Sequence, residues 1–469
     1  METVRTRIAP SPTGNDLHIG NAYTALINYV FAKKHGGQFI VRIEDTDRTR
    51  LVPGSEERIL ESLSWLGISP DEGPNVGGPF VPYRQSERLE VYKKYAEELV
   101  KKGHAYYCFC TPERLTKMRQ EQEARHEPPM YDGRCREVKV KSSKLKVKNG
   151  EKYIIRLKVP KEGKTTFHDI IRGEISFENR LIDDQVLLKS DGFPTYHLGV
   201  VVDDHLMKIS HIIRGEEWIS STPKHVLLYQ FLGWKSPLFA HMPLLRNPDK
   251  SKLSKRKNPV WVSWYREQGF LPEAILNYLA TMAWANPEGK EIFSLEEMIE
   301  AFKLEDIQTT APIFNIEKLR WINKQYLMNK PIEPFVRLVS GASVYSGTPN
   351  FQDIARGTAP LVQPRIGTIN EYDTVAGFYY EKPRTIEQQP DKHLISVAKM
   401  ALENSEWNKG AMEQSIRNEA KTAGVEAKDV FMALRLAVTG RTVGPPLLES
   451  LEILGREETL RRLTRLPAH

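Results

Sequence analysis

Near its N-terminus the chain runs in the order strand, loop, helix, strand, and this order restricts the fold more than any other feature. Residues 3–9 alternate as a strand does, and residues 20–35 carry apolar side chains at helical spacing. Gly36 and Gly37 predict the end of that helix, and residues 38–45 predict a second strand. Because strands joined through a helix are parallel, the sequence predicts an α/β domain with a parallel sheet.

The loop before this helix predicts a phosphate site. Residues 7–26 read RIAPSPTGNDLHIGNAYTAL, which places His18 and Gly20 at the start of the helix. Helix N-termini present unpaired N–H groups and a partial positive charge, so residues 14–21 lie where a phosphate would bind in an open α/β sheet. The loop matches neither a Walker loop nor the GxGxxG pattern. Taken alone, it is more typical of turn-forming glycines beside a structural histidine.

A distant second motif favours the functional interpretation. Residues 252–256 read KLSKR, in a loop flanked by Pro, Asn and Asp. Together, HIGN and KLSKR resemble the two signatures of class I aminoacyl-tRNA synthetases. The segments RIAPSPTG, FIVRIEDTD, LLKSDGFPTYHL, IIRGEEWISSTPKH and MPLLRNPDKSKLSKRK resemble glutamyl-tRNA synthetases in particular, and the resemblance continues through FNIEKLRWIN to LRLAVTGRTVGPPL. It covers nearly the whole chain.

The resemblance implies a fold and a domain order. We expect a Rossmann-type catalytic domain in two halves, residues 1–105 and 182–246, split by an inserted acceptor-end-binding domain at residues 106–181. Residues 247–322 would form a stem-contact region with the KLSKR loop, and residues 323–469 an all-α anticodon-binding region of one or two units. Within the second half, the apolar run HLGVVVDD at residues 197–204 predicts a strand.

The implied reaction is the activation of L-glutamate by ATP, followed by its transfer to the 3′-terminal ribose of tRNA(Glu). The residues that the resemblance assigns to catalysis are His18, Gly20, Lys252 and Lys255; those that it adds for ATP are Glu217, Trp218 and Leu245. Because the nucleophiles belong to the substrates, catalysis would consist of positioning and charge stabilisation. Mg²⁺ is expected with the nucleotide, held largely by phosphates and water.

Glutamate carries two carboxylates, so its pocket needs paired positive charge. By resemblance, Arg7 and Arg214 are the candidates, each able to form a forked pair with a carboxylate or to serve in a structural ion pair. Glu44 would accept the α-ammonium group, Tyr196 would hydrogen-bond the substrate, and Ala9 and Ser11 would line the strand end. Many relatives carry a polar residue where this chain has Val200.

Three cysteines are too few for a disulfide framework, and their spacing predicts another role. Cys108 and Cys110 form Cys-x-Cys, and Tyr131 and Cys135 follow about twenty residues later. These four residues could hold a structural zinc ion, with His126 as an alternative fourth ligand. Three unlinked thiols in a reducing compartment are the other possibility.

The lysine-rich segment REVKVKSSKLKVKNGEK predicts contact with tRNA. Two-residue spacing would place Lys139, Lys141 and Lys144 on one side of a hairpin strand, where they could bind phosphates. Arg365, in QPRIGTINE, aligns with an arginine that some glutamyl enzymes use on the last anticodon base. Whether the enzyme also charges tRNA(Gln) stays open, since only Arg365 bears on it.

Composition adds a few limits. The net charge of +7 fits a polyanionic partner without requiring one. The N-terminal residues lack the apolar core of a signal peptide, and no apolar run approaches the roughly 20 residues of a membrane span. We therefore expect a monomeric cytoplasmic enzyme.

A non-catalytic RNA-binding paralogue would usually lose motif residues, and here they are present.

Overall fold

The computed structural model describes residues 3–138, 140–253 and 259–464. It divides into two compact units. The first comprises residues 1–264 and 276–315, and the second comprises residues 265–275 and 316–469. Among the described residues, no helix is both long enough and apolar enough to cross a membrane.

The first unit is an α/β structure. Its strands are β1 Arg5–Ile8, β2 Gln38–Val41, β3 Ala105–Cys108, β4 Ile154–Leu157, β5 Lys164–Asp169, β6 Gly173–Glu178, β7 Val186–Leu188, β8 His211–Gly215 and β9 Leu238–Met242. Its first helices are α1 Ile19–Lys34, α2 Ser55–Trp65, α3 Leu89–Lys101, α4 Pro112–Ala124, α5 Val140–Lys148, α6 Tyr196–Leu206 and α7 Thr222–Leu232. They are followed by α8 Val262–Glu267, α9 Pro272–Ala283 and α10 Leu295–Ala301. Helices α8 and α9 include residues of both units.

Parallel pairing dominates where the sequence predicted it. β1 pairs with β2 and β8 pairs with β9, both in parallel, and Ser210 N donates to Arg5 O at 3.0 Å where β1 passes β8. The carboxyl ends of these strands therefore meet at one edge of the sheet. In open α/β sheets that edge is where ligands bind.

The predicted insertion contributes to two sheets. β3 and β4 form an antiparallel sheet with β7, whereas β5 and β6 join β9 and β8 in a four-stranded sheet with the order β6-β5-β9-β8. The last part of residues 106–181 thus belongs to the same sheet as the catalytic strands. The boundaries expected within the first unit stay predictions.

The strand prediction for residues 197–204 is wrong, because this run lies in helix α6. Residues 198–204 are all buried, and Asp203 and Asp204 accept hydrogen bonds from buried arginines. A helix buried on all sides gives the same short apolar run as a buried strand, so periodicity alone could not separate them.

The second unit is helical, as expected. Its helices are α11 Ile316–Met328, α12 Ile332–Ala342, α13 Phe351–Val362, α14 Tyr372–Ala376, α15 Lys392–Glu403, α16 Lys409–Thr422, α17 Ala427–Thr439, α18 Leu447–Leu454 and α19 Arg456–Thr464. Helices α15 to α19 share a core that includes Leu402, Ile416, Leu434 and Leu451.

Two adjacent glycines after α1 give a matched test of the first βαβ unit. Gly36 has φ +59° and open space around its Cβ position, whereas a Cβ on Gly37 would clash with the backbone of Val4. Gly36→Ala should cost about 1–2 kcal/mol through left-handed strain. Gly37→Ala should cost about 3 kcal/mol or more, because β1 must shift. Thermal unfolding of both variants checks this; an equal or smaller loss for Gly37→Ala would contradict the β1–β2 geometry.

Candidate active site

A cleft of about 940 Å³ opens at the carboxyl ends of the parallel strands. Most of the residues proposed from the sequence for ATP and glutamate line this cleft; these are Arg7, Ala9, Ser11, His18, Gly20, Glu44, Tyr196, Arg214, Glu217, Trp218, Leu245 and Lys252. Lys255 lies outside the described residues. The cleft thus gathers segments from residue 7 to residue 261 of the chain.

A short antiparallel contact brings the two distant motifs together. Ile19 N donates to Val260 O at 2.7 Å, and Val262 N donates to Leu17 O at 3.0 Å. Asp16 strengthens the junction, because its carboxylate accepts from Ser263 N at 2.8 Å. The segment that follows the KLSKR loop is therefore fixed against the residues that begin α1.

Trp261 explains one glycine of the opening motif. It lies opposite His18 in this contact, and their rings meet edge to face with centroids 6.0 Å apart. A Cβ on Gly14 would lie 2.5 Å from the Trp261 ring. Gly14 is thus required by the indole that covers it.

His18 caps α1 in a way that fixes its proton. Its Nδ1 accepts from Gly20 N at 3.0 Å, so the neutral ring carries its proton on Nε2 and can donate from there. A Cβ on Gly20 would approach Nδ1 to 3.1 Å and press on the ring. Glycine at position 20 therefore preserves the orientation of His18.

The backbone amides at the start of α1 already have partners. Ile19 N donates to Val260 O, Gly20 N to the His18 ring, and Asn21 N to His18 O at 2.8 Å. The expected phosphate contact through these amides is therefore not available in this structure.

Lys252 reaches the cleft from the other motif. Its Nζ lies 3.8 Å from Glu217 Oε1, and its side chain is 67% exposed. An exposed ion pair of this kind contributes little to stability, so Lys252 can exchange Glu217 for an anionic ligand at small cost. Leu253 N donates to Leu245 O at 3.3 Å, which ties this end of the loop to the cleft wall.

The two candidate arginines differ in their partners. Arg7 forms a forked pair with Asp204, through Nε and Nη2 at 3.1 Å each. Arg214 is equally buried, but its hydrogen bonds to the described residues run to histidine, tyrosine and threonine side chains, not to a carboxylate. Of these two arginines, Arg214 is thus the one whose charge is not matched by direct contact with an acid.

Burial raises the pKa of Glu44 to about 7, against the opposing attraction of Arg42 and Arg7. Arg42 Nη2 donates to its carboxylate at 3.2 Å. Glu44 is therefore poised between its neutral and charged forms near pH 7. A cation bound beside it would favour the charged form.

Val200 is not among the described residues that line the cleft. It is 1% exposed and packs in a hydrophobic cluster with Tyr92, Leu198 and Leu228.

The three cysteines form one cluster. The sulfurs of Cys108, Cys110 and Cys135 all lie within 4.8 Å of one another, and Cys110 Sγ is 3.7 Å from Cys135 Sγ. The Tyr131 hydroxyl lies 3.4 Å from Cys108 Sγ and 3.3 Å from Cys110 Sγ. His126 is exposed and is not a member of the cluster.

The hairpin strand predicted for the lysine-rich segment is wrong. Residues 140–148 form helix α5, in which Lys141 and Lys144 are exposed and Ser143 is buried. Helical spacing still places Lys141 and Lys144 on one face. Alternating lysine and apolar residues imitate a strand, but lysine and leucine favour a helix. Lys139 lies outside the described residues.

Arg365 lies in the second unit, at the end of a short 3₁₀ helix, and is exposed. Its guanidinium donates to Gly444 O at 3.1 Å and to Leu361 O at 2.8 Å. These bonds fix its position without using a charged partner. Its contact with an anticodon base stays a prediction.

Sequence reasoning missed several residues of the cleft. Trp261, Asp16 and Tyr23 line it, as does Lys189, and His241 supports Arg214 from behind. Trp261 stands only five residues beyond the KLSKR motif, but no spacing rule predicts its return to His18. The buried hydroxyl of Tyr23 has no hydrogen-bond partner among the described residues, and burial raises its pKa.

Comparisons with known proteins agree with this geometry. The family of class I tRNA synthetases (E and Q), catalytic domain, matches residues 3–321, and the anticodon binding domain family matches residues 319–467. The curated glutamate–tRNA ligases of Thermus thermophilus and Acinetobacter baumannii are each 47% identical to this chain, and each match covers 98% of it. The match covers 99% of the Thermus protein and 92% of the Acinetobacter protein. A crystal structure of a glutamate tRNA ligase from Elizabethkingia meningosepticum, in complex with its amino acid, covers 99% of both chains at 38% identity with a TM-score of 0.91.

The catalytic cleft, the helical second unit and similarity at this level over the full length lead to one assignment: the chain belongs to the glutamate–tRNA ligase family of class I aminoacyl-tRNA synthetases.

Proposed function

We propose that this chain activates L-glutamate with ATP and transfers the glutamyl group to the 3′-terminal ribose of tRNA(Glu), releasing AMP and pyrophosphate. The observation that carries this proposal is the cleft in which His18, Lys252 and Arg214 meet. The substrates, tRNA and ATP, belong to the cytoplasm, where we expect the enzyme to act as a monomer.

In the first step, an oxygen of the glutamate α-carboxylate attacks the α-phosphorus of ATP. The bond from that phosphorus to the pyrophosphate oxygen breaks, which gives glutamyl-adenylate and pyrophosphate. His18 Nε2–H would donate to a phosphate oxygen, and Lys252 and Lys255 would neutralise the separating charges. Contacts made mainly in the transition state raise the rate more than they raise ground-state affinity.

In the second step, the terminal ribose hydroxyl attacks the activated carbonyl and AMP leaves. Glu217, Trp218 and Leu245 would hold the adenosine portion while this happens. Among the described residues, the cysteine cluster is the one group of three or more His, Cys, Asp or Glu close enough to share a metal. Mg²⁺ would be bound largely through nucleotide phosphates and water.

For the amino acid, Arg214 and Tyr196 would bind one carboxylate. Arg7, which Asp204 holds through Nε and Nη2, would offer Nη1 to the other carboxylate, and Glu44 would face the ammonium group. Ala9 and Ser11 would border the same end of the strand. Lys139, Lys141 and Lys144 would contact tRNA phosphates, and Arg365 would contact the anticodon. Such phosphate contacts would make the affinity for tRNA fall with salt.

Charging assays test this function directly. The protein should attach glutamate, and not glutamine, to purified tRNA(Glu). His18→Ala should abolish glutamate-dependent pyrophosphate exchange measured with tRNA present, while its thermal midpoint falls by only a few degrees because the side-chain cap of α1 is lost. Lys255→Ala should abolish the exchange as well. Retained exchange in both variants would contradict their roles, and charging of tRNA(Gln) at a similar rate would contradict selection of tRNA(Glu).

The pKa of Glu44 predicts a pH dependence. Below pH 7 the carboxylate becomes protonated and loses its attraction for the substrate ammonium, so kcat/KM for glutamate should fall about tenfold per pH unit. Above pH 7 it should level off. Glu44→Gln should lower kcat/KM and remove the break. A break near pH 7 that persists in Glu44→Gln would assign it to another group.

We also propose that the cysteine cluster holds a structural zinc ion. The Cys110–Cys135 sulfur separation of 3.7 Å matches the edge of a tetrahedron with Zn–S bonds of about 2.3 Å, and all three sulfurs lie within 4.8 Å of one another. The Tyr131 hydroxyl lies 3.3 Å from Cys110 Sγ and would supply the fourth ligand. The donor set thus fits zinc, which would link β3 to the segment around residues 131–135.

Elemental analysis after reconstitution and buffer exchange should find about one zinc per chain. Cys135→Ser should lose most of it, because a thiolate ligand is removed. The matched control is His126→Ala, which should retain zinc because His126 is outside the cluster. Absence of zinc in the wild-type protein, or its loss in His126→Ala alone, would contradict the proposed ligand set.

A further inference from the structure

The guanidinium of Arg214 is held by neutral acceptors. Nε donates to His241 Nε2 at 3.1 Å, and Nη2 donates to Thr222 Oγ1 at 2.8 Å. Nη1 lies 3.1 Å from the Tyr196 hydroxyl and 3.3 Å from His225 Nδ1. Four of the five arginine N–H groups are thereby directed, which leaves one on Nη2.

The bond to Arg214 requires a particular form of His241. An arginine N–H can only donate, so His241 Nε2 must accept and the ring must carry its proton on Nδ1. Nδ1 lies 2.6 Å from Asp169 Oδ2, and both side chains are fully buried. Asp169 thus selects the one form of His241 that can accept from Arg214.

A second histidine pair repeats this arrangement on Nη1. His225 Nδ1 faces Arg214, so its proton lies on Nε2, which is 3.1 Å from His197 Nδ1. Burial lowers the pKa of His225 well below its usual value and that of His197 to about 3, which keeps both rings neutral. Burial likewise lowers the pKa of His241.

We propose that Asp169 and His241 are positioning residues for glutamate recognition: they hold Arg214 so that its remaining Nη2–H and the Tyr196 hydroxyl converge on the substrate carboxylate. Neutral acceptors direct the guanidinium without satisfying its charge, which stays available for an anion. A carboxylate in direct contact would compete with the substrate. This inference rests on the proposed role of Arg214 and extends it to residues outside the cleft lining.

Asp169→Asn is the informative substitution. Asp169 Oδ1 accepts from two backbone amides, Ile171 N and Arg172 N, both at 3.0 Å, whereas Oδ2 accepts from one, His241 N, and faces His241 Nδ1. An asparagine should therefore keep its oxygen at the two amides and turn its own amide toward His241. The amide N–H then donates to Nδ1 and shifts the histidine proton to Nε2, where it opposes the Arg214 N–H. The precedent is the triad carboxylate of serine proteases, where the same substitution traps the wrong histidine form.

In aminoacylation assays with saturating tRNA(Glu), Asp169→Asn should raise KM for glutamate about tenfold or more and change KM for ATP by less than about twofold. Adding His241→Gln to Asp169→Asn should restore most of the KM for glutamate. The glutamine side-chain oxygen can accept from Arg214 in either orientation of the asparagine at position 169. The matched control is Asp71→Asn, which removes a carboxylate that binds Lys33 and Phe39 N away from the cleft and should leave both KM values unchanged.

The outcomes distinguish the positioning role of Asp169 and His241 from the proposed role of Arg214. Equal rises in both KM values, or a double variant no better than Asp169→Asn, would show a purely structural role and overturn the proposal. Arg214→Lys serves as the reference. If it raises KM for glutamate while Asp169→Asn does not, the positioning role fails alone. If Arg214→Lys leaves KM for glutamate unchanged, the proposed role of Arg214 fails as well.

Discussion

The pairing of residues 17–19 with residues 260–262 is the contact on which the active site depends. Two backbone hydrogen bonds and the Asp16–Ser263 bond join residues that are between 241 and 247 positions apart in the sequence. This contact fixes the segment after the KLSKR motif beside His18, and the bond from Leu253 N to Leu245 O ties the start of the motif to the cleft wall. The contact also uses one of the amides at the start of α1, that of Ile19, which is therefore unavailable to phosphate.

The charges around the cleft follow one pattern. On α6, Asp203 and Asp204 pair with Arg88, Arg42 and Arg7. They so connect the residue before α3, the residue after β2 and strand β1. Buried ion pairs of this kind are costly to break, because removal of one partner leaves an uncompensated charge. Arg214 differs from these arginines, since its contacts with the described residues are neutral. Three arginines thus share Asp203, Asp204 and Glu44, whereas Arg214 has no acid among its hydrogen-bond partners in the described part of the chain.

The sequence predicted the fold best where the pattern was long and the spacing regular. The first βαβ unit, the helical second unit and the cysteine cluster all followed from motif and periodicity. The helix at residues 197–204 did not, because its apolar run is buried on every side, and α5 did not, because lysines alternate with apolar residues as they do in a strand. Both errors concern short segments whose surroundings decide their form.

Site residues were predictable only where a family motif marked them. Family motifs contain His18, Lys252 and Arg214. They gave no indication of a role for Trp261, Asp169 or His241. These last three act through other side chains, and their partners lie far away in the sequence: Asp169 and His241 are 72 residues apart. No local pattern records a contact of that range. Glu44 shows a related limit, since its pKa near 7 comes from burial that only the fold creates.

A crystal structure with a non-hydrolysable glutamyl-adenylate analogue is the most direct measurement. The expected density has the side-chain carboxylate at Arg214 and Tyr196, the phosphate analogue within hydrogen-bond distance of His18 Nε2, and the adenine between α1 and Leu245. An analogue bound elsewhere, or with its carboxylate turned away from Arg214 and its phosphate remote from His18, would contradict a single nucleotide site built from the two motifs.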